Sequence, residues 1–458
     1  MELFVDLRRG SGPLRRRLEH ELREGVRAGR LLPGATLPST RALAAQLGVS
    51  RGMVIEAYAQ LVAEGYLRAR QGAATTVAPR ARAGVAATSP ASTARPAAPV
   101  VYDFRYGTPD LSSFPRAAWQ ACGARVLRAL PDARLSYGDP RGAIELREAL
   151  AAYLGRARGV VAHPDRIVIT GGTRLGLSLV WHVLRVAGAE RVAVEDPGWT
   201  TQQATARDAG LDPVPVAVDG DGMAVGALDA LGVDAAVVTP AHQCPTGALL
   251  APGRRTALLE WARAGNRGVV EDDYDAEYRY DRDPVGALQG MAPDHVIYAG
   301  SASKTLAPAL RIGWLVLPAP LAHAAGARRA VADRAESLLT QLTLADLVAR
   351  GDLDRHLRRM RRRYRSRRDA LVTAVAAELP GAHVEGIAAG LHAVVRMAPG
   401  VDEARTVRVA AERGIALDGL AAFRQGEASA DPALVLGYAN MTEQAITRGV
   451  AELARAIR

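Results

Sequence analysis

The composition of this chain breaks sharply between residues 79 and 100, and that break constrains the fold more than any other feature. Alanine, proline, serine and threonine dominate the segment, and the periodic spacing of apolar residues disappears within it. Such a composition is typical of an extended, semi-flexible linker. We therefore predict two separately folded parts, a small one at residues 1–78 and a large one at residues 101–458.

The small part is strongly basic. Residues 1–80 contain 13 arginines and seven acidic residues, so they carry +6 of the chain's formal net charge of +10. Such a concentration of positive charge favours a polyanionic partner. Leu14, Leu18, Leu22 and Val26 recur at four-residue spacing, which predicts an amphipathic first helix.

Two more short helices are predicted on either side of a Gly-Val-Ser turn. Ser39 or Thr40 can cap the first of these helices, and Ser50 can cap the second. Two short helices joined by so tight a turn form a helix-turn-helix. Two strand-like runs then surround a turn at Gln71 and Gly72, which predicts a wing.

Three motifs in this part resemble the winged helix-turn-helix domain of the GntR family of transcription regulators. They are Leu-Pro-Ser-Thr-Arg-Ala-Leu-Ala at residues 37–44, Leu-Gly-Val-Ser-Arg-Gly at 47–52, and Ala-Tyr-x-x-Leu-x-x-Glu-Gly-Tyr-Leu at 57–67. The resemblance implies binding to double-stranded operator DNA, with a recognition helix in the major groove and the wing over the minor groove. The DNA-contacting residues that it implies are Ser39, Thr40, Arg41, Ser50, Arg51, Gly52, Met53, Gln71 and Gly72.

The large part alternates apolar, strand-like runs with helical patterns, which is typical of an α/β fold. Polar or glycine-rich turns follow the runs at residues 166–170, 191–194, 235–238 and 268–270. In open α/β sheets, ligands bind just past the ends of the strands. We therefore predict a ligand site formed by these turns.

Lys304 is the only lysine in 458 residues, since all the other residues in the Lys and Arg total of 58 are arginine. Arginine can replace lysine wherever a charge is needed, but its guanidinium stays protonated and cannot attack a carbonyl. A chance survivor is the plain alternative. The setting of Lys304, Gly-Ser-Ala-Ser-Lys-Thr after an apolar run, favours an amine that forms a Schiff base with an aldehyde cofactor.

Pyridoxal phosphate is the cofactor whose chemistry these residues match. Its aldehyde needs the Lys304 amine, and its ring nitrogen needs a carboxylate, for which we choose Asp272. Tyr274 can hydrogen-bond the ring hydroxyl, and Trp199 offers a flat face for the ring. The predicted residues around the phosphate are Gly172, Thr173, Ser301 and Arg311, and Ser303 is a further predicted cofactor-binding residue. No metal site is predicted.

In their order along the chain, these motifs resemble the fold-type-I, aspartate-aminotransferase-like enzymes over residues 101–458. The resemblance implies a large α/β domain followed, from about residue 318, by a smaller C-terminal α+β subdomain. Tyr137, in Tyr-Gly-Asp-Pro-Arg-Gly, matches a segment that reaches the phosphate of the neighbouring subunit, which implies a domain-swapped, head-to-tail homodimer. With its N-terminal domain, the whole chain resembles the MocR-type (GabR-like) regulators.

Two positions depart from the aminotransferase pattern. Cys244 stands where those enzymes usually have an asparagine before Pro-Thr-Gly, which leaves Tyr274 to contact the ring hydroxyl. Val435 stands where related sequences commonly have the arginine that binds the substrate carboxylate, and Arg424 is near enough in sequence to replace it. We therefore expect at most weak transaminase activity. We expect the effector to be pyridoxal phosphate itself, an amine or an amino acid.

Three functions remain open at this point. The main hypothesis is a transcription regulator that binds pyridoxal phosphate. The alternatives are an active aminotransferase with a DNA-binding arm, and a pyridoxal phosphate carrier or repair protein without sequence-specific DNA binding. The intact helix-turn-helix argues against both alternatives, and Val435 argues against the first.

Composition also indicates where the protein is located in the cell, and it singles out an arginine-rich segment. Two cysteines exclude a disulfide framework, and the absence of an apolar run of about 20 residues excludes a membrane span, so we predict a cytoplasmic protein.

Nine arginines between Arg355 and Arg368 predict a long helix with a solvated basic face. A second DNA-contacting surface is the alternative for that segment.

Overall fold

The computed structural model of the chain describes residues 12–70, 73–79, 99–281, 285–332, 336–425 and 431–457. The chain divides into two compact units, residues 1–95 and 96–458. Most of the predicted linker at residues 79–100 lies outside the described residues, since residues 80–98 are not among them. Within the described ranges, no helix is both long enough and apolar enough to span a membrane.

Three helices and a two-stranded antiparallel sheet form the N-terminal unit. They are α1 (Leu14–Arg27), α2 (Thr40–Leu47), α3 (Arg51–Ala63), β1 (Leu67–Arg68) and β2 (Thr76–Val77). Ser39 and Ser50 cap α2 and α3, because their hydroxyl oxygens accept from the Ala42 N–H at 3.2 Å and the Met53 N–H at 3.3 Å. Gly48 ends α2 with φ 65°, a conformation that suits glycine. The predicted helix-turn-helix and its caps are confirmed.

The core of the N-terminal unit lies between α1 and α3. Leu18 and Leu22 of α1 are buried in one apolar cluster with Val54 of α3. The Tyr58 hydroxyl donates a hydrogen bond to the Pro38 carbonyl at 3.0 Å, which ties α3 to the segment before α2. This packing fixes α3 along its middle and leaves the residues of its first turn exposed or half-buried.

The C-terminal unit contains the remaining helices and strands. Its first half consists of β3 (Tyr102–Asp103), α4 (Arg116–Ala129), α5 (Ile144–Arg158), β4 (Ile167–Thr170), α6 (Thr173–Val186), β5 (Arg191–Asp196), α7 (Thr200–Asp208), β6 (Asp212–Asp219), β7 (Gly222–Met223), α8 (Leu228–Leu231), β8 (Ala235–Val238), α9 (Pro252–Ala264) and β9 (Gly268–Asp272). Its second half consists of β10 (Val296–Ser301), α10 (Ala302–Thr305), β11 (Gly313–Val316), α11 (Ala319–Ala332), α12 (Leu338–Ala349), α13 (Asp352–Glu378), β12 (His383–Glu385), β13 (His392–Arg396), α14 (Glu403–Glu412), β14 (Ile415–Ala416), β15 (Asp418–Gly419), β16 (Ala433–Gly437) and α15 (Glu443–Ile457).

An eight-stranded sheet forms the centre of this unit, in the order β4-β11-β10-β9-β8-β5-β6-β7. Strands β10, β9, β8, β5 and β6 run parallel to their neighbours in this series, whereas β11 and β7 pair antiparallel. Every residue of β4, β8 and β10 is buried, as expected for strands covered on both faces. The turns that follow the parallel strands meet at their common carboxyl edge.

A four-stranded antiparallel sheet, in the order β12-β13-β16-β15, forms a smaller second layer of structure. The long helix α13 packs against α15 and against β12 and β13. Strand β3 pairs in parallel with β14, so the first strand of the unit joins its C-terminal part. The α/β body with a smaller α+β region is the fold class that the sequence predicts.

Candidate cofactor site and DNA-binding face

The register of the large sheet brings the predicted cofactor residues to one edge. Asp272 is the last residue of β9, and Ser301 is the last residue of the neighbouring strand β10. Ser301 pairs with Gly313 of β11, which pairs in turn with Thr170, the last residue of β4. The turns that carry Asp272, Lys304 and the start of α6 therefore lie side by side.

The Lys304 side chain reaches back to the beginning of the C-terminal unit. Its Nζ donates a hydrogen bond to the Gly107 carbonyl at 2.5 Å. Gly107 has φ 84°, and a Cβ added there would lie 2.9 Å from the Lys304 Nζ, so a larger residue would displace the amine. Burial lowers the pKa of the Lys304 ammonium below its ordinary value, which increases the fraction of free amine. The free amine is the form that attacks an aldehyde.

Asp272 is a buried carboxylate with one unpaired oxygen. Its Oδ2 accepts a hydrogen bond from Gln202 Nε2 at 3.0 Å, while its buried Oδ1 has no hydrogen-bond partner in the part of the chain that the structure describes. Burial raises the pKa of Asp272 to about 7. A buried acceptor without a donor is unfavourable, and a protonated ring nitrogen would supply that donor. The residues at this edge therefore fit pyridoxal phosphate.

The start of α6 and its neighbours form a cradle suited to an anion. Gly172 precedes the helix with φ 100° and ψ 170°, a region that is essentially restricted to glycine, and the N–H groups that start with Thr173 have no partner within the helix. Arg311 has a positive φ of 52°, which costs about 1 kcal/mol for a residue with a Cβ. A Cβ added to Gly172 would lie 3.6 Å from Arg311 Nη1. The Ser301 hydroxyl donates to the Ser303 hydroxyl at 2.8 Å in the adjoining turn.

Tyr274 belongs to a buried network that sequence analysis missed. Its hydroxyl lies 3.1 Å from His242 Nδ1, which also faces the two Asp275 carboxylate oxygens at 3.1 and 3.2 Å. Ionised carboxylate oxygens can only accept, so we assign the proton to His242 Nδ1, which then has no lone pair to accept a hydrogen bond from the Tyr274 hydroxyl. The Tyr274 hydrogen then remains available for a ring hydroxyl.

Trp199 and Cys244 lie on the loops that follow β5 and β8. The half-buried Trp199 precedes α7, and the ring of Tyr106 packs edge-on against Phe423 at a centroid distance of 4.9 Å. Cys244 is buried, and burial raises the pKa of its thiol above its ordinary value. It is therefore a neutral thiol at physiological pH and cannot supply the negative charge of a thiolate.

Val435 and Arg424 lie in different surroundings. Val435 is fully buried in β16 and packs in an apolar cluster with Leu420 and Phe423. The half-buried Arg424 lines a separate cleft beside Pro197. None of the predicted cofactor residues lines that cleft within the described ranges.

Tyr137 lies on the surface of the C-terminal unit. It follows a short 3-10 helix, Asp132–Leu135, and is 84% exposed. Leu127 and Leu135 are also exposed, at 61% and 63%. Large apolar side chains that cluster on a surface are typical of an interaction site.

The predicted DNA-contacting residues of the N-terminal unit lie at the starts of α2 and α3. Arg41 and Arg51 are exposed, and among the described residues neither guanidinium has a hydrogen-bond partner. By contrast, Arg23 of α1 forms an ion pair with Glu64 at 2.8 Å. The two free arginines have as sequence neighbours the other predicted contacts Ser39, Thr40, Ser50, Gly52 and Met53. The predicted wing contacts, Gln71 and Gly72, lie outside the described residues.

Comparison with known proteins places the chain in a family. Residues 14–77 match the model for bacterial regulatory proteins of the gntR family, and residues 105–453 match the model for aminotransferase class I and II. The chain is 33% identical to the HTH-type pyridoxine biosynthesis transcriptional regulator PdxR of Corynebacterium glutamicum, over 96% of this chain and 95% of PdxR. It belongs to the MocR-type transcriptional regulators.

Other relatives of this MocR-type regulator carry regulator names as well. It is 36% identical to the HTH-type transcriptional regulator TauR of Rhodobacter capsulatus, over 98% of this chain and 97% of TauR. It is 33% identical to the probable rhizopine catabolism regulatory protein MocR of Rhizobium meliloti, over 96% and 93% of the two chains. These relatives support a regulator rather than an active aminotransferase.

Solved aminotransferases have the fold of this regulator's C-terminal unit. The Pyrococcus horikoshii kynurenine aminotransferase matches with a TM-score of 0.71 and 26% identity, over 79% of this chain and 91% of the enzyme. An archaeal alanine:glyoxylate aminotransferase matches with a TM-score of 0.72 and 27% identity, over 78% and 90%. The predicted family and fold class are confirmed.

The arginine-rich segment of the MocR-type regulator lies on α13, and most of its arginines have local partners. Arg363 and the buried Arg367 form ion pairs with Asp110 at 3.2 and 2.9 Å. The exposed residues without a side-chain partner among those described include Arg358 and Arg362, which lie one helical turn apart. The predicted long helix is confirmed, and its free charges form a narrow exposed stripe.

Proposed function

We propose that this MocR-type regulator is a cytoplasmic protein that binds operator DNA through residues 1–78 and pyridoxal phosphate through residues 101–458, with residues 79–100 as the linker. One observation carries the cofactor half of this proposal: the buried Asp272 Oδ1 has no donor among the described residues, at the sheet edge where Lys304 presents its amine. The name of PdxR, a pyridoxine biosynthesis regulator, supports the same ligand.

Each side chain at this edge has a distinct role in the proposal. Pyridoxal phosphate, when bound, supplies an aldehyde and an electron-withdrawing ring. Lys304 offers a buried amine of lowered pKa, and Asp272 retains the proton of the ring nitrogen. Tyr274 donates its free hydrogen to the ring hydroxyl, and Trp199 covers one face of the ring.

The phosphate is held by backbone and side-chain donors together. The free N–H groups at Gly172 and Thr173 point from the start of a 14-residue helix, whose dipole favours a negative charge there. Arg311 adds a full positive charge, and Ser301 and Ser303 add hydroxyls. The strained backbone of Arg311 is consistent with this role, because such strain persists where a side chain must be held in one position.

The DNA-binding half of the proposal makes α3 the recognition helix. Ser50, Arg51, Gly52 and Met53 open this helix at its exposed end, where base edges of a major groove can be reached. A Cβ added to Gly52 would meet nothing within 4 Å, so the space beside it is open. At the start of α2, Ser39, Thr40 and Arg41 are placed to contact the phosphate backbone.

Arg51→Ala is expected to weaken specific operator binding by about 1–3 kcal/mol, because Arg51 contacts a base. Arg41→Ala is expected to weaken binding to operator and random DNA alike, because Arg41 contacts phosphate. Fluorescence anisotropy with the full-length protein measures both effects. Charge reversal at Arg358 and Arg362, which lie on α13, is the control and is expected to leave the affinity unchanged. Equal losses on both DNAs for Arg51→Ala would contradict the assigned role.

The exposed apolar residues of the C-terminal unit support a homodimer. Leu127, Leu135 and Tyr137 are exposed around α4, next to a groove of about 600 Å³ that includes Leu130 and Leu342. We propose that a second copy covers this surface in a domain-swapped, head-to-tail arrangement. Tyr137 of each protomer would then reach the phosphate site of the other.

A mixed dimer tests this arrangement. Lys304→Ala removes the cofactor amine, and Tyr137→Phe removes one phosphate contact, so a dimer with one protomer of each variant has an intact site only if Tyr137 acts across the dimer. If Tyr137 acts across the dimer, that site lies in the Tyr137→Phe protomer and its cofactor affinity is expected to equal the wild-type value. If Tyr137 acts within its own chain, the mixed dimer has only the weakened affinity of Tyr137→Phe. Absorbance titration with pyridoxal phosphate measures the difference.

The effector follows from the surroundings of Val435. Val435 packs in an apolar cluster, so a carboxylate buried against its side chain would lack the cationic partner that an arginine at this position would supply, which costs several kcal/mol. We propose that the signal is pyridoxal phosphate itself or an amine without a carboxylate, and that transamination is at most weak. One relative, PdxR, is named as a regulator of pyridoxine biosynthesis, which favours the cofactor as the signal.

Alanine and ethylamine form a matched pair for this proposal, because they differ only in the carboxylate. Ethylamine is expected to change the absorbance of the cofactor-loaded protein in a saturable way, whereas alanine is expected to leave it nearly unchanged. Glutamate and GABA extend the comparison to longer carboxylates. Rapid, saturable conversion of an amino acid with release of a keto acid would contradict the proposal.

A further inference from the structure

A cleft of about 470 Å³ opens between the large sheet and the smaller sheet, apart from the predicted cofactor residues. One wall comes from the end of β6 and the loop after β8, and the other comes from the end of β12 and the 3-10 helix Leu420–Phe423. Its volume falls in the range of roughly 300–1,000 Å³ that is typical of small-molecule sites. The apolar part of its lining includes Pro197, Val218, Leu249, Ile387 and Leu420.

The charges in this cleft leave one cation unmatched. Asp219 is paired with Arg254 at 2.6 and 2.7 Å, and Glu385 is paired with Arg396 at 3.1 and 2.8 Å. Among the described residues, the half-buried guanidinium of Arg424 has no hydrogen-bond or ion-pair partner. Within the described part of the chain, the cleft therefore presents one free positive charge next to apolar surface.

We propose that this cleft binds a small organic carboxylate with an apolar body, and that Arg424 holds the carboxylate. A single free guanidinium matches a monoanion, and its planar donors bind a carboxylate through two parallel hydrogen bonds. The apolar residues of the lining cover the rest of the ligand. This site is distinct from the one around Lys304, so it can accept a carboxylate that the surroundings of Val435 exclude.

The cleft is linked directly to the loops of the cofactor site. Pro197 lies two residues before Trp199 on the loop that follows β5. Gln243, on the loop that follows β8, connects the two loops, because its Nε2 donates a hydrogen bond to the Pro197 carbonyl at 2.9 Å. Its Oε1 accepts a hydrogen bond from the Thr246 hydroxyl at 2.7 Å. The Gly198 N–H donates to the Phe423 carbonyl at 2.9 Å, one residue before Arg424. A ligand in the cleft would therefore contact the loop that carries Trp199.

The test is ligand-observed NMR on the full-length protein with pyridoxal phosphate in excess. The probes are benzoate, phenylacetate and indole-3-acetate, each compared with its uncharged primary amide. At least one carboxylate is expected to bind saturably, and Arg424→Gln is expected to weaken it by about 10- to 100-fold, as is replacement by the amide. Arg413→Gln, at an exposed arginine just after α14, is the control and is expected to have no effect.

The amide comparison keeps the test valid even if Arg424→Gln reduces stability, because it uses the unaltered protein. The proposal is overturned if no carboxylate saturates, if the amides bind equally well, or if Arg424→Gln binds like the wild type. The inference deepens the proposed function, since such a ligand would regulate the same domain. The assay requires no DNA, so its failure and a failure of operator binding are distinguishable.

Discussion

Lys304→Ala is expected to abolish covalent retention of pyridoxal phosphate completely. The wild-type protein should bind the cofactor with visible absorbance, and borohydride should fix it to the peptide that contains Lys304. Because no other lysine exists in the chain, the variant has no side-chain amine that could replace it. Peptide mass spectrometry after borohydride reduction measures the result.

Lys304→Arg is the matched control for this variant. It preserves the positive charge near Asp272, but a guanidinium stays protonated and cannot attack an aldehyde. It is therefore expected to lose the covalent adduct as completely as Lys304→Ala while keeping part of the non-covalent affinity. A borohydride-fixed adduct on any other side chain would refute the role of Lys304.

Asp272→Asn is expected to have the second largest effect, and its sign depends on pH. Burial raises the pKa of Asp272 from 3.8 to about 7, so between these values the cofactor-free folded protein holds a proton that the unfolded chain has lost. Its stability therefore falls as the pH rises through this window. At about 1.4 kcal/mol per pKa unit, the full effect is roughly 4 kcal/mol. Asparagine does not ionise, so the variant is expected to lack this part of the pH dependence.

With the cofactor bound, the variant is expected to be at a disadvantage instead, because it binds the cofactor more weakly than the wild type. In the proposed complex, the ring nitrogen would donate a charge-assisted hydrogen bond to the unpaired Asp272 Oδ1, and the loss of such a bond costs about 1.5–3 kcal/mol, or roughly 10- to 150-fold in affinity. Urea unfolding at pH 5 and pH 8, with and without pyridoxal phosphate, measures both effects. Asp208→Asn, at an exposed carboxylate of α7, is the control. The same pH dependence in Asp272→Asn and the wild type would contradict this account.

The sequence predicts the DNA-binding domain well because its signals are local. Ser39 and Ser50 accept hydrogen bonds from N–H groups three residues away, and Gly48 ends α2 through its own φ. Lys304 and Asp272 are predictable for a different reason, since polar residues just past parallel strands meet at one edge of an α/β sheet. In each case the physical cause lies within a few residues of the signal.

The rest of the site depends on contacts between distant segments. Gln202 and Asp272 are separated by 70 residues, and Gly107 and Lys304 by 197. Gln202 and Gln203 are adjacent and both buried, so composition alone does not indicate which one reaches the carboxylate. Their roles follow only once the orientation of α7 over the sheet is known.

The positions of Arg424 and Tyr137 in the fold were also not predictable from the sequence. Arg424 is 11 positions before Val435 in sequence, yet the fold places it in a cleft with Pro197 and away from the predicted cofactor residues. Tyr137 is 84% exposed in a single chain, so its proposed contact requires a second copy. Motif spacing identifies such residues, but only tertiary and quaternary structure shows which site each of them can reach.

The most direct test of the central claim is the affinity of the full-length protein for the DNA upstream of its own gene, measured with and without pyridoxal phosphate. We expect the cofactor alone to change the wild-type affinity by about 5- to 150-fold, the range of ordinary coupling energies, because its binding shifts the conformations available to the C-terminal domain. Lys304→Arg is expected to show little or no change. Equal affinity of the cofactor-free and cofactor-loaded wild type, or an equal response of Lys304→Arg, would contradict a regulator that acts through this site.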